Sequence, residues 1–101
     1  MTKVYNRIGE IVTIFTYNFD SLNRNDVTVS EIHQALDDPA RLDIDEGINR
    51  SGNPKVMWVG QTESDRLLEV GIEYLDGDID HVYHANNVQA KYKAMYYRRK
   101  K

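Results

Sequence analysis

Between residues 55 and 85 three strand-like runs follow one another almost without pause: "KVMWVGQT", "RLLEVGIEYL" and "IDHVYHA". Only "ESD" and "DGD" separate them. Links this short, rich in turn formers, join neighbouring antiparallel strands and leave no room for a crossover helix, so the pattern predicts an antiparallel meander. In the middle run Arg66, Leu68, Val70, Ile72 and Tyr74 alternate with Leu67, Glu69, Gly71 and Glu73. Arg66 thus closes the apolar, core-facing row. An arginine there belongs at the lip of the sheet, with its guanidinium reaching a carboxylate or a phosphate.

Upstream, "EIVTIFTY" at residues 10 to 17 is β-branched and aromatic and reads as a first strand. "YNFDSLNRN" can form a short helix that breaks at Asn25 and Asp26. "TVSEIHQALDDP" is the clearest helix: Thr28 and Glu31 have capping-box spacing, Val29, Ile32 and Leu36 share a face, and Pro39 ends it. "GINRSGNPK", residues 47 to 55, reads as a polar loop. Helical spacing returns at the end, where Val88, Tyr92, Met95 and Tyr96 predict an apolar stripe between basic margins. The fold class expected is α+β: one domain over residues 1–101, a small, mainly antiparallel sheet with N-terminal helices and a C-terminal helix packed on one face.

Charge is unevenly distributed along the 101 residues. From Val88 onward Lys91, Lys93, Arg98, Arg99, Lys100 and Lys101 stand without a carboxylate, whereas the preceding body holds seven bases against all 16 acids. A net charge of −3 conceals a body of −9 and a tail of +6. The split points to an anionic partner or to the chain's own acidic body. Cations near a helix C-terminus are favourable in themselves, so dipole compensation is the bland alternative. The absence of cysteine excludes disulfides, thiolate nucleophiles and thiolate metal sites. The run "IVTIF" is too short for a signal core or a membrane span, and a cytoplasmic location is expected.

The ordered set "NRNDVTVSEIHQALDDP", a loop, "VMWVGQTESDRLLEVGIEY" and "HVYHANNVQAKYKAMY" resembles the BrnT-like toxins of bacterial toxin–antitoxin pairs, within the RelE-like superfamily of small ribonucleases. The resemblance covers roughly residues 17 to 97 and rests on the helix running into Pro39, the spacing from Gly60 to Arg66-Leu67-Leu68, and the His84-Ala85 step. It implies RNA cleavage without metal or cofactor, in which a ribose 2′-hydroxyl attacks the adjacent phosphate, and a cognate antitoxin that holds the toxin inactive. DNA would be met only through the antitoxin, and no membrane is implied. By the resemblance Arg66 clamps phosphate. Lys55, Lys91, Lys93 and Arg98 steer or hold the RNA backbone, and His84 is the residue near that site able to move protons near neutral pH.

One position departs from the pattern. Where relatives have a basic residue, histidine, glycine and a small aliphatic, this chain has Arg24, Asn25, Asp26 and Val27. Asn25 stands where the family's catalytic histidine is expected, and an amide exchanges no protons. Three readings stay open: His84 has taken over proton transfer, catalysis rests on electrostatics and positioning, or cleavage is lost and a silent protein- or RNA-binding domain remains. Sequence-specific DNA binding ranks lower, since no recognition-helix arrangement is evident. The turn after Leu75 bears on the choice. A two-residue loop at Asp76-Gly77 sets His84 opposite Glu69, away from Arg66, whereas a three-residue loop at Leu75-Asp76-Gly77 sets it on Arg66's face. His33 and His81 are expected to be structural.

Overall fold

A computed structural model describes the backbone of residues 4–5 and 11–100, with side chains from residue 13 to 99. Strands β1 (Val4–Tyr5) and β2 (Ile11–Val12) form a small antiparallel pair. Strand β3 (Ile14–Tyr17) leads into helices α1 (Phe19–Arg24) and α2 (Val29–Leu36). Then come strands β4 (Leu42–Ile48), β5 (Pro54–Gln61), β6 (Leu67–Leu75) and β7 (Ile79–Asn87), and helix α3 (Ala90–Lys100). The five-stranded sheet has the order β3-β7-β6-β5-β4. Every pairing is antiparallel except β3 with β7. The α+β class and the 55–85 meander are therefore as expected.

The expected first strand is broken at Thr13 into β2 and β3, and Glu10 lies outside the described residues. The capping box of α2 forms as its spacing predicts: Thr28 Oγ1 accepts from the Glu31 amide at 3.1 Å, and the Thr28 amide donates to Glu31 Oε1 at 3.0 Å. Helix α1 ends in a double turn in which the Val27 amide donates to the Leu22 carbonyl and the Asp26 amide to the Asn23 carbonyl. Closing that turn requires a left-handed residue, and Asp26 takes the conformation at φ 54°. Among the described residues no helix is long and apolar enough to cross a membrane.

The helices lie on both faces of the sheet, not on one. Leu22, Val27, Ile32, Ala35 and Leu36 of the α1–α2 segment pack on Leu68, Val70, Ile72, Val82 and Ala85. Tyr92 and Tyr96 of α3 pack on Met57 and Val59 of β5 and Leu67 of β6, on the other face. The period of two in β5 supplies both rows, Val56 and Trp58 toward the α1–α2 face and Met57 and Val59 toward α3. Gly60 permits the closest approach of α2, because a Cβ there would lie 2.0 Å from the Ala35 carbonyl oxygen. Among the described side chains of α3 only Tyr92 and Tyr96 are buried; Met95 is 39% exposed, so the expected stripe is narrower, and Val88 packs from just outside the helix. Strand β4 arises between Pro39 and the meander, where only a loop is expected. Its Leu42 and Ile44 face α3 while Asp43 and Asp45 face the other side.

Neither anticipated register occurs between β6 and β7. Leu75 pairs with Ile79, so the loop is Asp76, Gly77 and Asp78, with φ of 81° at Gly77 and 59° at Asp78. Farther along, Ile72 pairs with Val82 but Gly71 with His84, which leaves Tyr83 as the extra residue of a β-bulge. The bulge restores His84 to the side of Glu69, opposite to the α1–α2 face. The Tyr83 ring lies over Gly71, where a Cβ would meet it at 2.6 Å.

Candidate functional site

Arg66 stands just before β6, at the lip of the sheet as expected, and its partners are protein groups. Its Nε donates to Asn87 Oδ1 at 2.8 Å and its Nη2 to the Asn25 carbonyl at 3.2 Å. Nη1 donates both to the Asp26 carbonyl at 2.7 Å and to Glu31 Oε2 at 3.1 Å. Four bonds to three segments make Arg66 a clamp on the α1–α2 turn. Asn25, the other residue expected there, uses its side-chain amide to donate to the Ala85 carbonyl of β7 at 2.9 Å. Arg66 and Asn25 are thus neighbours, joined through structural contacts.

The hydrogen bond from the Thr28 backbone, followed by contacts with Arg66, holds the Glu31 carboxyl below the usual glutamate range. A carboxyl depressed in the folded state contributes stability that is complete above its unfolded pKa, about 4.3, and is lost as pH falls through the lower folded value. Replacing Glu31 with glutamine is expected to make thermal stability fall less steeply below about pH 4. Identical slopes for both proteins in a pH series of melting temperatures would remove Glu31 from this account.

His84 lies on the opposite face. Its Nε2 is 2.9 Å from Glu69 Oε2, and Glu69 is 5% exposed. Glu69 Oε1 accepts from the Gln89 amide at 2.7 Å. Gln89 begins the last helix, since its carbonyl accepts from the Tyr92 and Lys93 amides. Helix α3 has no acid in its own first turn. Glu69, reaching up from the sheet, therefore places negative charge at the helix end that favours it. It also fixes the imidazole: a carboxylate only accepts, so His84 donates from Nε2, and the neutral imidazole then carries its lone pair on Nδ1. No described residue hydrogen-bonds to that Nδ1.

Around His84 stand groups of both signs. The Tyr83 and His84 rings are 6.5 Å apart, and Lys55 Nζ lies 5.2 Å from the centre of the Tyr83 ring. Burial, and then the charge of Glu46 with further contributions including Glu73 and Glu69, keeps the proton on the Tyr83 hydroxyl. Lys91, in the first turn of α3, places Nζ 4.8 Å from the Tyr92 ring centre. Lys93 and Arg98 are exposed on the same helix.

The expected residues consequently form two groups, Arg66 with Asn25 and His84 with Lys55 and α3, on opposite faces of the sheet. Tyr83 was not legible as part of either group, because only the bulge lays its ring over Gly71, the residue paired with His84. The other histidines pair within the fold: His33 Nε2 is 2.6 Å from the Tyr17 hydroxyl, and His81 Nδ1 is 2.7 Å from Thr16 Oγ1. No three described His, Asp or Glu side chains converge in a manner that could hold a metal ion. Comparison with protein-family models gives no match, and comparison with curated proteins gives none.

Proposed function

We propose that the chain is the toxin of a bacterial toxin–antitoxin pair, a metal-independent endoribonuclease that cleaves RNA, inhibits translation and is neutralised by a cognate antitoxin. The observation that supports this reading best is the His84–Glu69 pair, a histidine oriented by a buried carboxylate with its second ring nitrogen uncommitted. In the proposed reaction His84 Nδ1 takes the proton of a ribose 2′-hydroxyl, whose oxygen attacks the adjacent phosphorus. The bond to the 5′-oxygen breaks, leaving a 2′,3′-cyclic phosphate, and the Tyr83 hydroxyl donates the proton that the departing oxygen requires. Lys55 and Lys91 offset charge on the phosphate oxygens, and Lys93 and Arg98 hold the flanking backbone. Arg66 and Asn25 position the scaffold and do not touch the substrate.

Expression of the chain alone is expected to arrest growth, and arrest should be relieved by its antitoxin. Neutralising Lys91, Lys93 and Arg98 together should flatten the salt dependence of RNA binding, lowering the log–log slope by about 2. Growth without arrest, together with an unchanged slope, would count against the reading. The second reading, a catalytically silent binding domain of the same fold, is favoured by two observations. Both Asn25 and Arg66 are committed to internal hydrogen bonds, and acids surround Tyr83.

A further inference from the structure

The α1–α2 face of the sheet is only partly covered. Beyond α2, Val56, Trp58 and Tyr74 remain half-buried and form the floor of a trough of about 310 Å³, which Pro54, Lys55, Asp43 and Asp45 help to line, with Lys55 Nζ itself lying 5.2 Å from the Tyr83 ring centre. The strand pairings place carboxylates around this floor: Asp43 opposite Trp58, Asp45 opposite Val56, and Asp80 opposite Tyr74.

The chain itself shows what this surface accepts. The Arg41 guanidinium lies 4.2 Å from the centre of the Trp58 ring. Asp43 holds it there, accepting from Nε at 2.8 Å and Nη2 at 3.3 Å. A flat cation on an aromatic face, oriented by a carboxylate one strand away, is a favourable arrangement for both groups. Two residues along β4, Asp45 repeats the carboxylate without the cation. Its Oδ1 accepts from the Gly47 amide at 2.8 Å, and it has no ion pair among the described residues. Asp80 is half-buried and likewise has no cationic partner among them, while burial and then Asp78 raise its pKa. The floor between these acids is apolar and aromatic.

We propose that this trough is a docking surface for a basic peptide segment of a protein partner, whose arginine or lysine side chains lie over Tyr74 and Val56 and pair with Asp45 and Asp80. Charge complementarity selects the occupant: the surface offers two uncompensated carboxylates beside aromatic rings, and a cationic side chain with an apolar stem satisfies both. The surface is on the face away from His84 and does not depend on the nuclease reading.

Trp58 is the only tryptophan of the chain, so its fluorescence reports directly on the trough. The full chain is titrated with a short peptide of alternating arginine and threonine, and separately with its glutamate counterpart. The arginine peptide is expected to shift the Trp58 emission with an affinity that weakens as salt rises, and the glutamate peptide to leave it unchanged. Asp45→Asn combined with Asp80→Asn should weaken binding about tenfold. Asp45→Asn alone, at an exposed position, should weaken it by about threefold and keeps the test valid if the second change disturbs the fold. Equal affinity in the variants, or no emission shift with the arginine peptide, overturns the proposal. Self-association in sedimentation that Asp45→Asn abolishes overturns the choice of a foreign partner and gives the trough to a second copy's basic helix.

Discussion

Arg66→Ala is expected to lower the unfolding free energy by about 2–4 kcal/mol, a large part of what a domain of this size possesses. The wild-type side chain is 24% exposed and bonds two backbone carbonyls, the Glu31 carboxylate and the Asn87 amide oxygen. Alanine removes all four bonds at once. Partial solvent access softens the loss, because water can reach some of the orphaned acceptors, and places the estimate below the sum of four charge-assisted bonds. Asp26 adds to the effect, since its left-handed backbone is held in place partly by the Nη1 bond to its carbonyl. Lysine at position 66 can satisfy only part of this set and should lie between wild type and alanine. Chemical denaturation measures the difference directly. A stability within about 0.5 kcal/mol of wild type would show that the clamp is dispensable.

The resemblance gives Arg66 a phosphate to clamp, whereas in the fold its guanidinium is bonded to protein groups. Sequence alternation correctly put Arg66 at the lip of the sheet and named a carboxylate as one of two partners. The choice between partners depended on where the turn at Asn25 and Asp26 would lie, which is set by tertiary packing of α1 and α2. The helix caps and the meander were legible because their signals are local: capping-box spacing, period-two alternation and short polar turns. The parallel pairing of β3 with β7 joins residues about 65 apart and has no local signal. Strand β4 did have one, since Leu42 and Ile44 alternate with Asp43 and Asp45, but acids on the outer row gave it the look of a loop.

His84 shows why side-chain faces are harder to assign than strands. Each register considered assumed an unbroken ladder, and the bulge at Tyr83 shifts parity by one residue. The pairing with Glu69 nevertheless emerges, by a different route from the two-residue loop that also allowed it. Glu69 then serves two roles, orienting His84 and supplying charge to the start of α3. The basic tail has a corresponding physical account: Tyr92 and Tyr96 anchor it, with the Tyr96 hydroxyl donating to Asp38 Oδ2, while Lys91, Lys93 and Arg98 stay exposed.

In the proposed reaction His84, oriented by Glu69, takes the proton of the 2′-hydroxyl and Tyr83 protonates the leaving oxygen, while Arg66 serves the scaffold. The direct test is the single-turnover rate of cleavage of a defined RNA, free and on translating ribosomes, by the purified chain and by its His84→Ala, Glu69→Gln and Arg66→Lys variants, each at a temperature where it is folded. Cleavage by the wild type should fall by about 10²–10⁴-fold in His84→Ala, fall substantially in Glu69→Gln, and persist in Arg66→Lys. Undiminished cleavage in His84→Ala, loss of cleavage in folded Arg66→Lys, or no cleavage by the folded wild type on either substrate would contradict it.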